Sequence, residues 1–212
     1  MTAPTRAAGV TKRFSRRGRS VDALLDVDVE VLGGELVLVT GPSLSGKTTL
    51  VHVLAGWIRP DAGTVTWSGR PSPPPWSELT VITQAFSLLG ELTVEENVGF
   101  ATRVGTSALD AAATATVVDR LGLTPLLQRL PSEISVGERQ RVMVARALAG
   151  SPRVVLADDP ASHQDDHHAA IVLTLLAEFA ADGGACLVAT RGDIRMPGYG
   201  DRELVLPSHP VD

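Results

Sequence analysis

The chain is short of several things, and each shortage excludes something. A single cysteine, Cys186, in 212 residues rules out an internal disulfide. Its setting, Ala185–Ala189, reads as a buried strand carrying an inert thiol. No apolar run approaches the roughly 20 residues that a membrane-spanning helix takes, the longest being Ala169 to Ala177. Residues 1–14 hold no apolar stretch of the kind a secretion signal carries, so none is expected. Positive charge is scarce too. The net charge of −5 argues against a nucleic-acid partner. The one basic patch, Lys12, Arg13, Arg16, Arg17 and Arg19, is expected to be a solvated loop rather than a phosphate-binding arm. A soluble cytoplasmic protein is what these exclusions leave.

Lysine is the most telling shortage. Of the 19 lysines and arginines, only Lys12 and Lys47 are lysine. A chain that uses arginine wherever a generic cation will do, yet keeps Lys47, marks a position that needs a compact ammonium on a flexible stem.

What is present is a length suited to one well-packed domain and an α/β alternation of apolar runs and breakers. Strands are expected at Val27–Leu32, Leu36–Thr40, Thr64–Trp67, Val81–Thr83, Val154–Ala157, Leu187–Thr190 and Leu204–Leu206. Helices are expected at Lys47–Ala55, Val94–Val104, Ala108–Leu121, Glu138–Ala149 and Asp166–Ala181, with Pro71–Pro75 as a rigid surface turn. Alternation of this kind implies a mainly parallel sheet with ligands at the carboxyl ends of its strands.

Gly41-Pro42-Ser43-Leu44-Ser45-Gly46-Lys47-Thr48 matches G-x-x-x-x-G-K-[ST] and stands between an expected strand and an expected helix, the context that motif requires. Glycines let backbone N–H groups curl round a phosphate chain, and the helix N-terminus adds its dipole. Lys47 is placed to reach the β- and γ-phosphates, Thr48 to ligate Mg2+, and the site runs on to Thr49. ATP and Mg2+ are the ligands this implies. A second acidic site follows on the run Val154-Val155-Leu156-Ala157-Asp158-Asp159-Pro160. A buried strand ending in carboxylates suits Asp158 to the Mg2+ hydration shell and Asp159 to orienting or deprotonating the attacking water. The crowd of Asp158, Asp159, His163, Asp165, Asp166, His167 and His168 raises a rival metal site, but Pro160 prevents one continuous helix through it, and surface histidines are expected.

Between the two sites lies Ile134-Ser135-Val136-Gly137-Glu138-Arg139-Gln140, running into Arg141-Val142-Met143-Val144-Ala145-Arg146-Ala147-Leu148. With this segment the chain resembles the ATP-binding subunit of an ABC transporter, from about Val10 to Leu206. Leu-Thr-Val-Glu-Glu-Asn-Val at 92–98 is similar in style to the lipoprotein-release and macrolide-export branch. The resemblance implies a P-loop NTPase fold with a mainly parallel central sheet, a small antiparallel β subdomain and a helical signature subdomain at about residues 85–150. It identifies Ser135, Gly137 and Glu138 with the signature that caps the ATP of an opposite subunit, and Gln84 with a glutamine that senses Mg2+ and the membrane partner. Phe14 falls where the family stacks an aromatic ring on adenine, and Asp165 where it has a loop aspartate. A membrane permease and a second ATP-binding subunit, identical or different, are the implied partners, with Phe86–Glu96 in the cleft that receives the permease. The location is then cytoplasmic, peripheral to the membrane.

Four positions depart from the family's pattern, all at nucleotide. Leu44 replaces a glycine, and if the loop needs φ > 0 there, leucine strains it or reshapes the loop. Val136 replaces the first signature glycine. Asp159 stands for the catalytic glutamate, one methylene shorter, so its carboxylate retreats by roughly 1.5 Å; misplacement of about 1 Å can cost on the order of 10²-fold. Arg191 stands for the switch histidine, and a guanidinium donates to phosphate but accepts no proton. The expectation is therefore slow hydrolysis. The alternative is a regulatory or scaffold subunit, or the degenerate half of a heterodimer, with little ATPase activity.

Overall fold

A computed structural model of the chain describes residues 4–16, 19–71, 73–74, 77–104, 109–191 and 200–208. In chain order the elements are β1 (Thr5–Arg16), β2 (Arg19–Val31), β3 (Glu35–Thr40), α1 (Lys47–Leu54), β4 (Ala62–Thr66), β5 (Leu79–Ile82), α2 (Val94–Val104), α3 (Ala111–Arg120), α4 (Val136–Ala149), β6 (Val154–Asp158), α5 (Asp166–Ala181), β7 (Ala185–Ala189) and β8 (Arg202–Val205). Two sheets result. One has the order β5-β6-β7-β3-β8 and every pairing in it is parallel. The other, β2-β1-β4, is antiparallel.

The central strands β6 and β7 of the parallel sheet are buried on both faces, and their side chains alternate between two cores as a pleated strand demands. Val155, Ala157, Cys186 and Val188 pack with the helices α2 to α5 on one side. Val154, Leu156, Ala185 and Leu187 join α1 and the antiparallel sheet on the other. Cys186 is fully buried, and burial pushes its thiol pKa up, in keeping with an inert core sulfur. Trp67 is pinned between layers, its indole N–H donating to the Leu54 carbonyl at 2.8 Å.

The N-terminal basic patch corrects the sequence reading. Most of it is strand rather than loop: Lys12, Arg13 and Arg16 lie on β1 and Arg19 on β2, the two strands being paired, while the Arg13 side chain stays exposed. Lys12 bonds Asp61 at 3.0 Å, and Arg13 reaches Asp22. The Arg13 backbone N–H, with Lys12, holds the Asp61 carboxyl below its usual range. Arg17 lies outside the described residues. β1 and most of β2 escape a period-2 search because bulges shift their parity. Ala7 and Val10 are both buried although three apart, across Gly9 with φ 58. Leu24 and Val27 repeat the pattern across Asp26 with φ 50.

Helix starts follow side-chain caps. Asp110 accepts from the Ala113 N–H, so α3 begins at Ala111 rather than at Ala108, which lies outside the described residues. Ser135 caps α4 and moves its start to Val136, ahead of the expected Glu138. Asp165 caps α5 at the expected Asp166. The Pro71–Pro75 turn lies partly outside the described residues.

Candidate functional site

Three central strands end side by side: β3 at Thr40, β6 at Asp158 and β7 at Ala189. The loop after β3 is shaped by glycine at two positions. Gly41 has φ 148, and a Cβ there would stand 2.5 Å from the Leu206 carbonyl; Gly46 has φ 91, and a Cβ would overlap the Ala23 carbonyl oxygen. Between them Leu44 takes φ 69 with its side chain 86% exposed. The left-handed conformation is therefore needed, and leucine holds it at a cost of about 1–2 kcal/mol. Because the residue is almost wholly exposed, Leu44→Gly removes this strain without opening a cavity. Offset by the flexibility glycine adds to the unfolded chain, the expected gain is about 0.5–1 kcal/mol, raising the melting temperature by roughly 1–4 °C. Differential scanning calorimetry checks it, and a loss of stability would show that Leu44 makes a contact of its own.

Lys47 opens α1 and folds back over the loop, Nζ donating to the carbonyls of Gly41 at 2.7 Å and Pro42 at 2.8 Å. Burial lowers its pKa, while Asp158 and Asp159 oppose the shift. Asp158 is only partly satisfied in the site. Burial raises its pKa, the neighbouring Thr48 hydroxyl opposes this, and its buried Oδ2 has no hydrogen-bond partner. An orphaned anionic oxygen beside a hydroxyl is a costly arrangement in the free protein. It is also what a hard divalent cation with its waters satisfies.

Asp159 takes φ 54, with its N–H donating to the Ala189 carbonyl at 2.8 Å across to β7. Its Oδ2 lies 3.3 Å from Nε of Arg191; the two side chains are 10% and 57% exposed. The two departures that touch catalysis thus touch each other. Together with Ser43 to Thr49, Gln84 and Thr190, these residues line a single cleft of about 640 Å³. Val21 and Ala23 of β2 close one side of it, a contribution that no motif announced. Gln84 is carried there by β5, and Thr83 fixes the turn by donating to the Ala85 carbonyl at 2.6 Å.

The remaining candidates stand outside that lining. Phe14 lies on β1 opposite Val21, exposed at the hairpin, with Lys12 Nζ 5.5 Å above its ring. Ser135 and Glu138 form a capping box: the Ser135 N–H donates to Glu138 Oε2 at 2.6 Å, which holds the Glu138 carboxyl below its usual range. Both side chains are thereby turned on their own helix. Gly137 is required by packing, since a Cβ would meet the His163 carbonyl at 2.7 Å. The Gln164 amide donates to the Gly137 carbonyl at 2.9 Å, and Arg141 donates to Gln164. Two arginines escaped the sequence reading: Arg139 stands over the Phe86 ring at 5.3 Å, and Arg146 grips Ser87 through its carbonyl and hydroxyl. Seven apart, they share one face of α4, and that spacing was the available signal. His163 and His167 are exposed, and His168 sits 2.9 Å from the Asp165 carboxylate. Among the described residues no cluster of three metal-ligating side chains forms.

Comparison with known proteins accords with this geometry. A family model described as ABC transporter matches residues 24–162. The lipoprotein-releasing system ATP-binding protein of Chlorobium luteolum is 32% identical over 215 residues, covering 93% of this chain and 92% of that one. The macrolide export ATP-binding/permease protein of Agrobacterium fabrum is 35% identical over 218 residues, covering 95% of this chain but 33% of that longer one. A bacterial ABC transporter cassette solved as a dimer superposes with a TM-score of 0.83 at 26% identity, covering 96% of this chain and 94% of that one. A dimeric cassette in a post-hydrolysis state bound to ADP and Pi gives 0.80 at 25%, covering 95% and 94%.

Proposed function

The chain belongs to the ABC transporter family, and from that premise we propose that it is an ATP-binding subunit that dimerises around Mg·ATP, hydrolyses it slowly and drives a separate membrane permease. The observation that carries this is the convergence of Lys47, Thr48, Gln84, Asp158 and Asp159 on one cleft at the carboxyl ends of parallel strands. One ATP-binding domain then spans the chain, with residues of about 85–150 as its helical part.

Loop N–H groups and the N-terminus of α1 bind the phosphates, and Lys47 exchanges its two carbonyl partners for phosphate oxygens. Thr48, Asp158 and Gln84 fit Mg2+, which when bound neutralises charge building on the transferred phosphoryl group. Asp159 orients a water against the γ-phosphorus and takes its proton as the bond from that phosphorus to the bridging oxygen breaks, leaving ADP and phosphate. Two features slow that step. The Asp159 carboxylate is a methylene short, and one of its oxygens faces the Arg191 guanidinium. Phe14 contributes a stacking surface for the base, and Ser135 and Gly137 present the N-terminus of α4 to the nucleotide of a second subunit.

A second groove, of about 500 Å³, suits the permease. It is lined mostly by apolar side chains, Trp57, Leu89 and Phe100 among them, each with substantial exposure. Ser87 and Leu89 bring the segment after Gln84 into it, and Arg146 ties that segment to α4. No described helix is long and apolar enough to cross a membrane; the likeness to the lipoprotein-releasing and macrolide-export ATP-binding proteins supports a cytoplasmic subunit held at the membrane through its partner.

The test is association. With Mg·ATP, sedimentation velocity is expected to show this chain shifting from monomer to dimer, alone or with a second cassette, and reverting as nucleotide is removed. Absence of nucleotide-dependent association with either would overturn the reading.

A further inference from the structure

Two of the places where this chain puts a larger residue for a glycine carry apolar side chains that face water. Leu44, in the phosphate loop, is 86% exposed, more than any other large hydrophobic among the described residues. It holds a left-handed backbone at a cost to the free chain. Val136 opens α4 and is 37% exposed, although the helix soon turns inward and Gln140 to Ala145 are all buried. Leu44 borders the nucleotide cleft and Val136 does not. Within one subunit the two therefore serve no common site, and neither exposed side chain adds much to its stability.

We infer that Leu44 and Val136 meet as an apolar pair across the nucleotide-bound dimer, and that the partner they fit is a second copy of this chain. This rests on the dimer proposed above. In that dimer the N-terminus of α4 reaches the phosphates of the opposite subunit, and those phosphates lie in the loop that carries Leu44. The first residue of one α4 and the exposed side of the other loop are thereby brought within side-chain reach. A two-fold interface is isologous, so the contact is made twice, once from each side. Both halves of it belong to one chain, as self-association requires. A cassette with glycine at both places would leave each apolar side chain without a counterpart. Fully burying a leucine side chain is worth roughly tenfold to a hundredfold in an equilibrium constant. With two copies of the contact, even half-burial gives the dimer that factor. The backbone strain at Leu44 is present in the free and the dimeric chain alike, so it cancels from association and leaves the contact to be measured.

Sedimentation velocity of the full chain over a range of protein concentrations tests this, with Mg·ATP saturating so that differences in nucleotide affinity drop out. Wild type is expected to dimerise with itself. Leu44→Gly and Val136→Gly are each expected to dimerise roughly tenfold to a hundredfold more weakly, since both contacts are broken in either homodimer. An equal mixture of the two variants separates a contact between subunits from an effect within one. Its mixed dimer sets Leu44 of one chain against Val136 of the other at one site, and glycine against glycine at the other. That dimer is expected to be roughly three- to tenfold tighter than either variant alone, beyond the factor of about two that statistics gives. A mixture no tighter than statistics allows overturns the proposal, as does either variant dimerising as well as wild type. Melting of the nucleotide-free proteins confirms that each variant folds, and Leu44→Gly is expected to gain stability there while it loses association. Val136→Ala keeps a good helix former at the start of α4, and an intermediate loss of association is expected. Dimerisation of wild type only with a different cassette overturns the proposal and leaves the nucleotide-bound dimer standing. No association with any cassette overturns both.

Discussion

Lys47→Ala is expected to weaken Mg·ATP binding by at least about a hundredfold, with the fold intact. The ammonium is the one compact, flexible cation in the cleft, and it stands between the loop carbonyls it now bonds and the space the phosphates would fill. Each bond from it to a phosphate oxygen is charge-assisted, worth about 1.5–3 kcal/mol, and about 2.7 kcal/mol corresponds to a hundredfold in affinity. Loss of Lys47 also removes a positive charge that interacts with both Asp158 and Asp159, so repulsion of the phosphates adds to the loss. Arginine is no substitute, because a planar fork cannot retrace the path of a four-carbon stem over the loop. Lys47→Arg is expected to bind almost as poorly as the alanine variant. Equilibrium titration with a fluorescent ATP analogue measures both. Binding within a few-fold of wild type would mean that the phosphates are held elsewhere.

The second large effect runs the other way. Asp159→Glu combined with Arg191→His is expected to raise ATP turnover by roughly 10- to 100-fold, since misplacing a base by about 1 Å costs on the order of 10²-fold and general-base catalysis as a whole contributes about 10²–10⁴. Glutamate restores the missing methylene, and histidine removes a guanidinium that faces the carboxylate at 3.3 Å while adding a group able to accept and pass on a proton. The change is expected in kcat more than in KM, because both residues act on the transferring phosphoryl group and not on the base or ribose. Phosphate release under saturating Mg·ATP is the measurement. A large rise locates the weakness in these two side chains. No rise would show that turnover depends on a second cassette and would remove the explanation offered here for slow hydrolysis.

Much of this was legible from residues alone, and the reasons differ from place to place. Leu36–Thr40 and Val154–Ala157 are short valine-rich apolar runs closed by glycine or carboxylate, too short for a helix and suited to buried parallel strands. The start of α5 at Asp166 was legible, and the structure shows that Asp165 caps it through side-chain chemistry, a local effect that neighbours along the chain decide. The strain at Leu44 was foreseen from the loop's need for a positive φ, which is again local. β1 and the first half of β2 were not seen, because the bulges at Gly9 and Asp26 break the parity on which strand recognition depends. The charges of Lys12 and Arg13 looked solvated because their partners, Asp61 and Asp22, come from other parts of the chain.

By itself, then, the sequence determined the phosphate loop, the carboxylates at the end of a buried strand and the places along the chain where the parallel strands form, since each follows from contacts within a few residues. Tertiary structure alone decided that Ala23 and Leu206 make Gly46 and Gly41 obligatory, and that Arg139 and Arg146 hold the segment after Gln84. It also decided that Asp159 and Arg191, 32 residues apart in the chain, meet as a pair. β6 and β7 lie side by side in the sheet, so residues just past their ends share one cleft, and only strand order, a long-range property, could bring them there.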